Sequence, residues 1–315
     1  MKKFLLIGGA AAMLGLSACS TDGYSEINQK FPSSAISIIT DETDGGVTVF
    51  PGTYVFNITN RDNAFSGSIT SPALIANNTS LEFTSDPQSC QFNGVEFYFK
   101  DIAATAGSTG LQLNNSQILG VTSYVDQNGR YGFYTDSTEI GDLTFKPSNN
   151  NMMETVARYY IGSRYRVNTF PIDSFFLGET TTSYNMMGES HSFSTETITY
   201  RFIINKEKDS DVYTATMVMY NAKFSDNERE PLKVGIIAQG LDVNFSANGV
   251  TITGQDIIPD VYEAGATTPY ENFKFNNITF QTTDIYYTRG TLDFQVAGIY
   301  KGHFEGKYLN SNFLK

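Results

Sequence analysis

A chain of 315 residues with 21 basic and 33 acidic side chains carries a net charge of −12 and a sequence pI of about 4.6. That balance argues against nucleic acid and anionic membrane surfaces as partners held by charge. With 24 Phe, 19 Tyr, no Trp and only two Cys, the composition favours strands and leaves stability to packing rather than to crosslinks.

The chain opens on Lys2 and Lys3, followed by the apolar run from Phe4 to Leu14. This run is too short to cross a bilayer, which takes about 20 residues. Leu16-Ser17-Ala18-Cys19 follows it and resembles a lipobox, the site at which a cysteine is acylated and the preceding peptide removed. Residues 1–18 are therefore read as a lipoprotein signal peptide and Cys19 as a lipid-bearing N-terminus. Each buried CH2 of the acyl chains would contribute about 0.8 kcal/mol of membrane affinity. Ser20, in the lipoproteins this resembles, does not signal retention at the inner membrane. The implied location is the outer membrane, with periplasmic and surface faces both open. Loss of Lys2 and Lys3 with the leader takes the net charge from −12 to −14. The polar segment 19–34 reads as a tether. Cys90 is then left without an intrachain partner and reads as a buried thiol.

Beyond residue 35 the dominant pattern is period-two alternation. Val95, Phe97 and Phe99 alternate with Glu96, Tyr98 and Lys100. Thr199 to Ile204, Val212 to Phe224, Lys233 to Phe245, Gly290 to Val296 and Tyr300 to Tyr308 are further strands. Asn-Gly pairs at 93–94, 128–129 and 248–249 mark turns. The expected fold class is all-β with two antiparallel domains, barrel or sandwich, over 35–147 and 196–315. Residues 148–195 read as a linker: 148–151 can cap a short helix with Met152, Val156 and Tyr160 on one face, and Gly178 to Ser194 is rich in Thr, Ser and Gly.

The halves share an order of short matches. Thr53-Tyr54-Val55-Phe56 recurs as Thr199-Tyr200-Arg201-Phe202. Asn93-Gly94-Val95 with Asp101-Ile102 recurs as Asn248-Gly249-Val250 with Asp256-Ile257. Leu111-Gln112-Leu113-Asn114-Asn115 recurs as Phe273-Lys274-Phe275-Asn276-Asn277, and Gly129 and Phe133 as Gly290 and Phe294. The preserved order points to a tandem duplication. In the second half, Met219 to Ser225, Gly249 to Pro259, Pro269-Tyr270 and Asn276-Asn277-Ile278 resemble calycin-like β-barrel lipoproteins of gut-type Bacteroidota over roughly 198–310. The resemblance implies a small meandering antiparallel domain at the cell envelope and brings no established ligand.

Catalytic signatures are weak. His191 and His303 are the only histidines, and Gly188-Glu189-Ser190-His191 lacks the Gly-x-Ser-x-Gly spacing of a nucleophile elbow. Two distant histidines without a Cys pair make a poor zinc site. Asp41-Glu42-Thr43-Asp44-Gly45-Gly46, Asp209-Ser210-Asp211 and Asp226-Asn227-Glu228 supply oxygen ligands, but the EF-hand spacing is missing and solvated turns are the simpler reading. No metal and no cofactor is expected. Sugars stack on aromatic rings, so Tyr159, Tyr160, Tyr286 and Tyr287 are the candidate ligand-binding residues, with Tyr165 and Tyr270 as further rings. The expectation is a non-enzymatic envelope lipoprotein, a ligand-binding or interaction module for a glycan or a small apolar ligand. The alternatives are a glycan-binding surface lipoprotein and a fimbrillin-like pilus or adhesin subunit that assembles by strand addition. A barrel of this kind either encloses one apolar ligand or is filled by its own Phe, Leu and Ile side chains.

Overall fold

A computed structural model describes residues 27–61, 64–85, the strand segments between 87 and 161, and residues 163–226, 233–263, 266–283 and 289–308. Cys19, Cys90, Tyr286, Tyr287 and the Asn-Gly pairs at 93–94 and 128–129 lie outside the described residues.

The first sheet contains β1 (Ile27–Asp41), β2 (Val47–Arg61), β3 (Ala64–Thr70), β4 (Ile102–Ala106), β5 (Thr109–Leu119), β6 (Glu154–Ile161) and β7 (Tyr165–Pro171). It is an antiparallel meander in which β1 lies between β2 and β7. The short strand Thr84–Ser85 joins β3 to β4, and β4 pairs onward with β5. That join is a single residue pair to β3 and two pairs to β4, so the sheet curls into a half-barrel.

The second sheet closes. Its strands are β8 (Asp173–Met186), β9 (Glu189–Lys206), β10 (Tyr213–Lys223), β11 (Lys233–Ser246), β12 (Gly249–Ile257), β13 (Asp260–Glu263), β14 (Ala266–Pro269), β15 (Phe275–Thr282), β16 (Arg289–Val296) and β17 (Tyr300–Tyr308). Eight of them form an up-and-down barrel in the order 8-9-10-11-12-15-16-17, closed by pairing of β17 with β8. The hairpin β13–β14 is inserted between β12 and β15 and pairs with the first half of β11. A 3-10 turn, Glu271–Phe273, sets Phe273 into the core 5.5 Å from Phe224. The barrel arm of the sequence expectation is the one realised, and the domain spans 173–308 rather than starting at 196.

Three other expectations change. Residues 27–34 are not tether: they belong to β1 and run alongside β2 from Ile27 opposite Asn60. The helix proposed after 148–151 is replaced by strand β6 over Glu154–Ile161, held between β5 and β7. Gly178 to Ser194 is not linker but most of the β8–β9 hairpin. Its inward residues Thr180 and Thr182 are buried, so small hydroxyl side chains fill this part of the wall and leave no apolar signal in the sequence.

Side chains alternate between the two faces most cleanly in β15, β16 and β17. In β17, Lys301, His303, Glu305 and Lys307 are exposed while Gly302, Phe304 and Tyr308 are buried. Polar residues outside and apolar residues inside is the reverse of a lipid-spanning barrel. Among the described residues no helix is long and apolar enough to cross a membrane.

Two features repeat between the halves. The Tyr54 hydroxyl meets Ser37 Oγ at 2.8 Å on the neighbouring strand, and the Tyr200 hydroxyl meets Thr180 Oγ1 at 2.9 Å in the same way. Both tyrosines are fully buried, as are Phe56 and Phe202 two residues on. Bulges also fall at the matched Asn-Asn sequences, between Asn114 and Gln117 and between Phe275 and Asn277. The halves pack together: Ile36, Ile38 and Phe170 of the half-barrel share one core cluster with the closed barrel, and Val47 and Val49 pack on it. Arg166 ties the halves at the rim, donating to Glu42 at 2.6 Å and to the Ala247 carbonyl at 3.1 Å.

Candidate functional surface

The barrel interior is occupied by its own side chains. Phe202 lies 4.3 Å from Phe280, Phe176 lies 4.9 Å from Phe280 and 5.8 Å from Tyr308, and Tyr200 lies 4.5 Å from Phe304. Phe294 continues the network to Phe275 and Phe224. Such rings each bury large apolar areas and gain about 0.5–1.5 kcal/mol per pair beyond burial. Of the two barrel alternatives, the filled one is observed. The Tyr200 hydroxyl sits inside this packing, and burial holds it well above the ordinary phenol range despite the Thr180 hydrogen bond.

The acidic turns are engaged structurally. The Asp41 carboxylate accepts from Arg164 Nη2 at 2.9 Å, from Asn77 Nδ2 at 3.1 Å and from the Thr43 amide at 2.9 Å. The Arg164 hydrogen bond, then the Thr43 amide, lowers its pKa to about 2. Asp44 accepts from the Gly46 amide, and Gly45 turns at φ +74. Asp211 pairs with Lys206, and Asp226 accepts from the Tyr184 hydroxyl. Asn227 and Glu228 lie outside the described residues, and among the described residues no group of three His, Cys, Asp or Glu is placed to hold a metal.

His303 projects from the outer face of β17 between two acids. Its Nδ1 is 2.6 Å from Asp293 Oδ1 and its Nε2 is 3.3 Å from Glu305 Oε1. The Asp293 hydrogen bond, reinforced by Glu305, raises its pKa. Both ring nitrogens are therefore committed to carboxylates and neither faces a serine nucleophile. His191 lies on β9 and stacks on Tyr184 at 5.0 Å. The turn beside it is Met187-Gly188, with φ of 54 and 85.

Of the tyrosines singled out from sequence, Tyr286 and Tyr287 lie outside the described residues. Tyr159 and Tyr160 lie on β6, where they oppose Val167 and Arg166 of β7, and Tyr160 is half-buried. Tyr165 is buried. Tyr270 is exposed beside Phe273 at the foot of the β13–β14 hairpin.

The structure exposes two further tyrosines on one face. β10 carries a bulge in which Tyr220 and Asn221 lie opposite the single residue Gly235 of β11, between the pairs Met219–Ile236 and Ala222–Val234. On the other side of β11, Gly235 is paired with Tyr262 of β13. Tyr220 is 41% exposed and Tyr262 is 55% exposed, so both point outward, with a residue lacking a side chain between them. Tyr220 is backed by Arg201, whose Nη1 is 3.5 Å from its hydroxyl. Arg201 in turn is forked onto Asp173, with Nε donating at 2.7 Å, and lies 5.0 Å over the Phe175 ring. Asp173 raises the Arg201 pKa further above its already high value. Gln239 donates to Asp260 at 3.0 Å at the other side of the row. The sequence signal for Tyr262 was its place in Asp260-Val261-Tyr262-Glu263 directly after Pro259, a four-residue strand too short to single out.

No protein-family model matches the chain, and no curated protein matches it. Among solved structures, the crystal structure of the isotype 1 transferrin binding protein B (TbpB) from serogroup B Neisseria meningitidis aligns over 90% of this chain and 78% of that one. The identity is 8% and the TM-score 0.23, a score that does not establish a shared fold.

Proposed function

We propose that the chain is a non-enzymatic envelope lipoprotein, tethered through an acylated Cys19, whose barrel is a rigid platform that binds its partner on the outside. One observation carries this reading: the lumen is filled by the Phe176, Phe202, Phe280, Phe294 and Tyr200 rings. An outer-membrane location and kinship with calycin-like β-barrel lipoproteins of Bacteroidota belong to the same reading, supported by the Leu16–Cys19 motif and by the closed meander. The His303 ring and the acidic turns are engaged by neighbouring side chains, which supports a role without catalysis.

The test has two arms. Metabolic labelling with an alkyne fatty acid should tag the wild-type protein and not Cys19→Ala, which should also leave the membrane fraction. Thermal unfolding of the soluble chain with sodium laurate should show no shift. A lumen ligand at 100 times its dissociation constant would stabilise by about 2.7 kcal/mol, so a laurate shift of that size would overturn external binding. A second reading, the pilus or adhesin subunit, is favoured by β14, which is paired on one side only among the described residues. Concentration-dependent oligomers in light scattering would select it.

A further inference from the structure

We propose that Tyr220, Gly235 and Tyr262 form a binding site for a neutral oligosaccharide chain. The site rests on the external-binding reading above and assigns it a place and a ligand class. β10 and β13 flank β11, so the two tyrosine backbones stand about 10 Å apart, two interstrand spacings. Gly235 between them puts no side chain into the gap: a Cβ there would first meet Tyr262 Cβ at 3.6 Å. The result is a shallow trough with an aromatic ring at either side.

The ligand class follows from the chemistry. A pyranose offers one face of C–H groups to a ring and a rim of hydroxyls to polar groups, which matches a tyrosine platform bordered by hydrogen-bonding side chains. Arg201, Gln239 and Asp260 provide that border, with Arg201 held by the buried Asp173 and Gln239 by Asp260. The Arg201–Tyr220 contact limits the freedom that Tyr220 would otherwise lose on binding. Charge selects a neutral chain. The Arg201 cation is matched by Asp173, and the protein's net charge of −12 repels polyanions.

Affinity gel electrophoresis tests the site with mixed-linkage β-glucan, glucomannan, α-mannan and dextran as neutral probes, polygalacturonate as an acidic one, and a ten-residue proline peptide by titration. Retardation is expected with at least one neutral polysaccharide and not with polygalacturonate. Tyr262→Ala and Tyr220→Ala should each weaken it about tenfold or more, and Gly235→Leu should abolish it by filling the trough. Tyr262 is exposed on a peripheral hairpin, so Tyr262→Ala keeps the test decisive if Gly235→Leu misfolds, with the melting temperature as the check on folding. Retardation that survives all three substitutions overturns this site while leaving external binding intact. Absence of retardation by every neutral probe overturns the site, as does binding of the proline peptide alone. A laurate-induced stabilisation overturns the reading beneath it.

Discussion

Gly302→Ala is the sharpest test of how the barrel is packed. Gly302 of β17 faces inward directly opposite Phe294 of β16, and a Cβ built on it would lie 2.1 Å from Phe294 Cζ, 2.5 Å from Cε1 and 2.6 Å from Cε2. Unstrained carbon contacts are about 3.5–4.0 Å, so the ring would have to withdraw by about 1.5 Å. It has little room to do so, being 3% exposed and in contact with Tyr200, Phe224 and Phe275. Overpacking of this kind costs about 1–3 kcal/mol. At about 2–4 °C per kcal/mol for a domain of this size, the melting temperature should fall by about 2–12 °C. Thermal unfolding of the soluble chain followed by circular dichroism reads the shift. Gly235→Ala is the matched control, because its Cβ meets only ordinary contacts; it should be neutral or stabilising by about 0.4–1 kcal/mol. Phe294→Leu placed on Gly302→Ala should recover part of the loss, a coupling that a double-mutant cycle measures. If Gly302→Ala melts with the wild type, the Phe294 ring is not pinned over that glycine and the argument for a filled lumen fails.

Tyr54→Phe and Tyr200→Phe remove the same hydroxyl bridge in the two halves and leave Ser37 and Thr180 short of a buried partner. Each should cost about 1–3 kcal/mol in urea unfolding, and a loss confined to one half would break the parallel between them. The Asp41 pKa, lowered from 3.8 to about 2, stabilises the fold fully above pH 3.8 and progressively less as pH falls through about 2. The urea midpoint gap between wild type and Asp41→Asn should therefore be constant near neutrality and close between those two values; a gap unchanged at pH 2 would show that the pairing with Arg164 is not electrostatic. The raised His303 pKa has the opposite sign. Its contribution is complete below the unfolded pKa, near 6.5, and is lost as pH rises through the folded value. With two histidines in the chain, an NMR titration resolves His303 easily, and Asp293→Asn should bring its midpoint down toward 6.5.

Much of the second domain was legible because several of its strands alternate in sequence as they do in burial, β16 and β17 above all. Tyr300 to Tyr308 was read at its observed limits since every inward residue is aromatic or glycine and every outward one from Lys301 to Lys307 is polar or glycine. The β8–β9 hairpin was hidden for the converse reason: Thr180 and Thr182 are buried hydroxyl residues, so the period-two pattern survives only in geometry. Met152, Val156 and Tyr160 sit at a spacing of four, which suits a helix face and one face of a strand equally. Pairing of β6 with both β5 and β7 decides between them, and that pairing is tertiary. The tyrosine row was illegible for a related reason. Tyr220, Gly235 and Tyr262 come from three strands, and a bulge and two registers are needed to align them.

The position of β1 has a mechanical consequence. It emerges closest to Cys19, where Ile27–Ser34 pairs with β2, and from Ala35 to Asp41 it lies in the middle of its sheet, with β2 on one side and β7 on the other. A pull transmitted from a lipid anchor would load β1 lengthwise. The register pairs with its neighbours would then bear the force together in shear rather than opening one at a time. From β7 only Ile172 intervenes before β8, so the load passes into the closed barrel without a slack segment. A protein built this way resists extraction from its N-terminal end by its unfolding rate, and a partner held on the barrel would be held as firmly as the sheet itself.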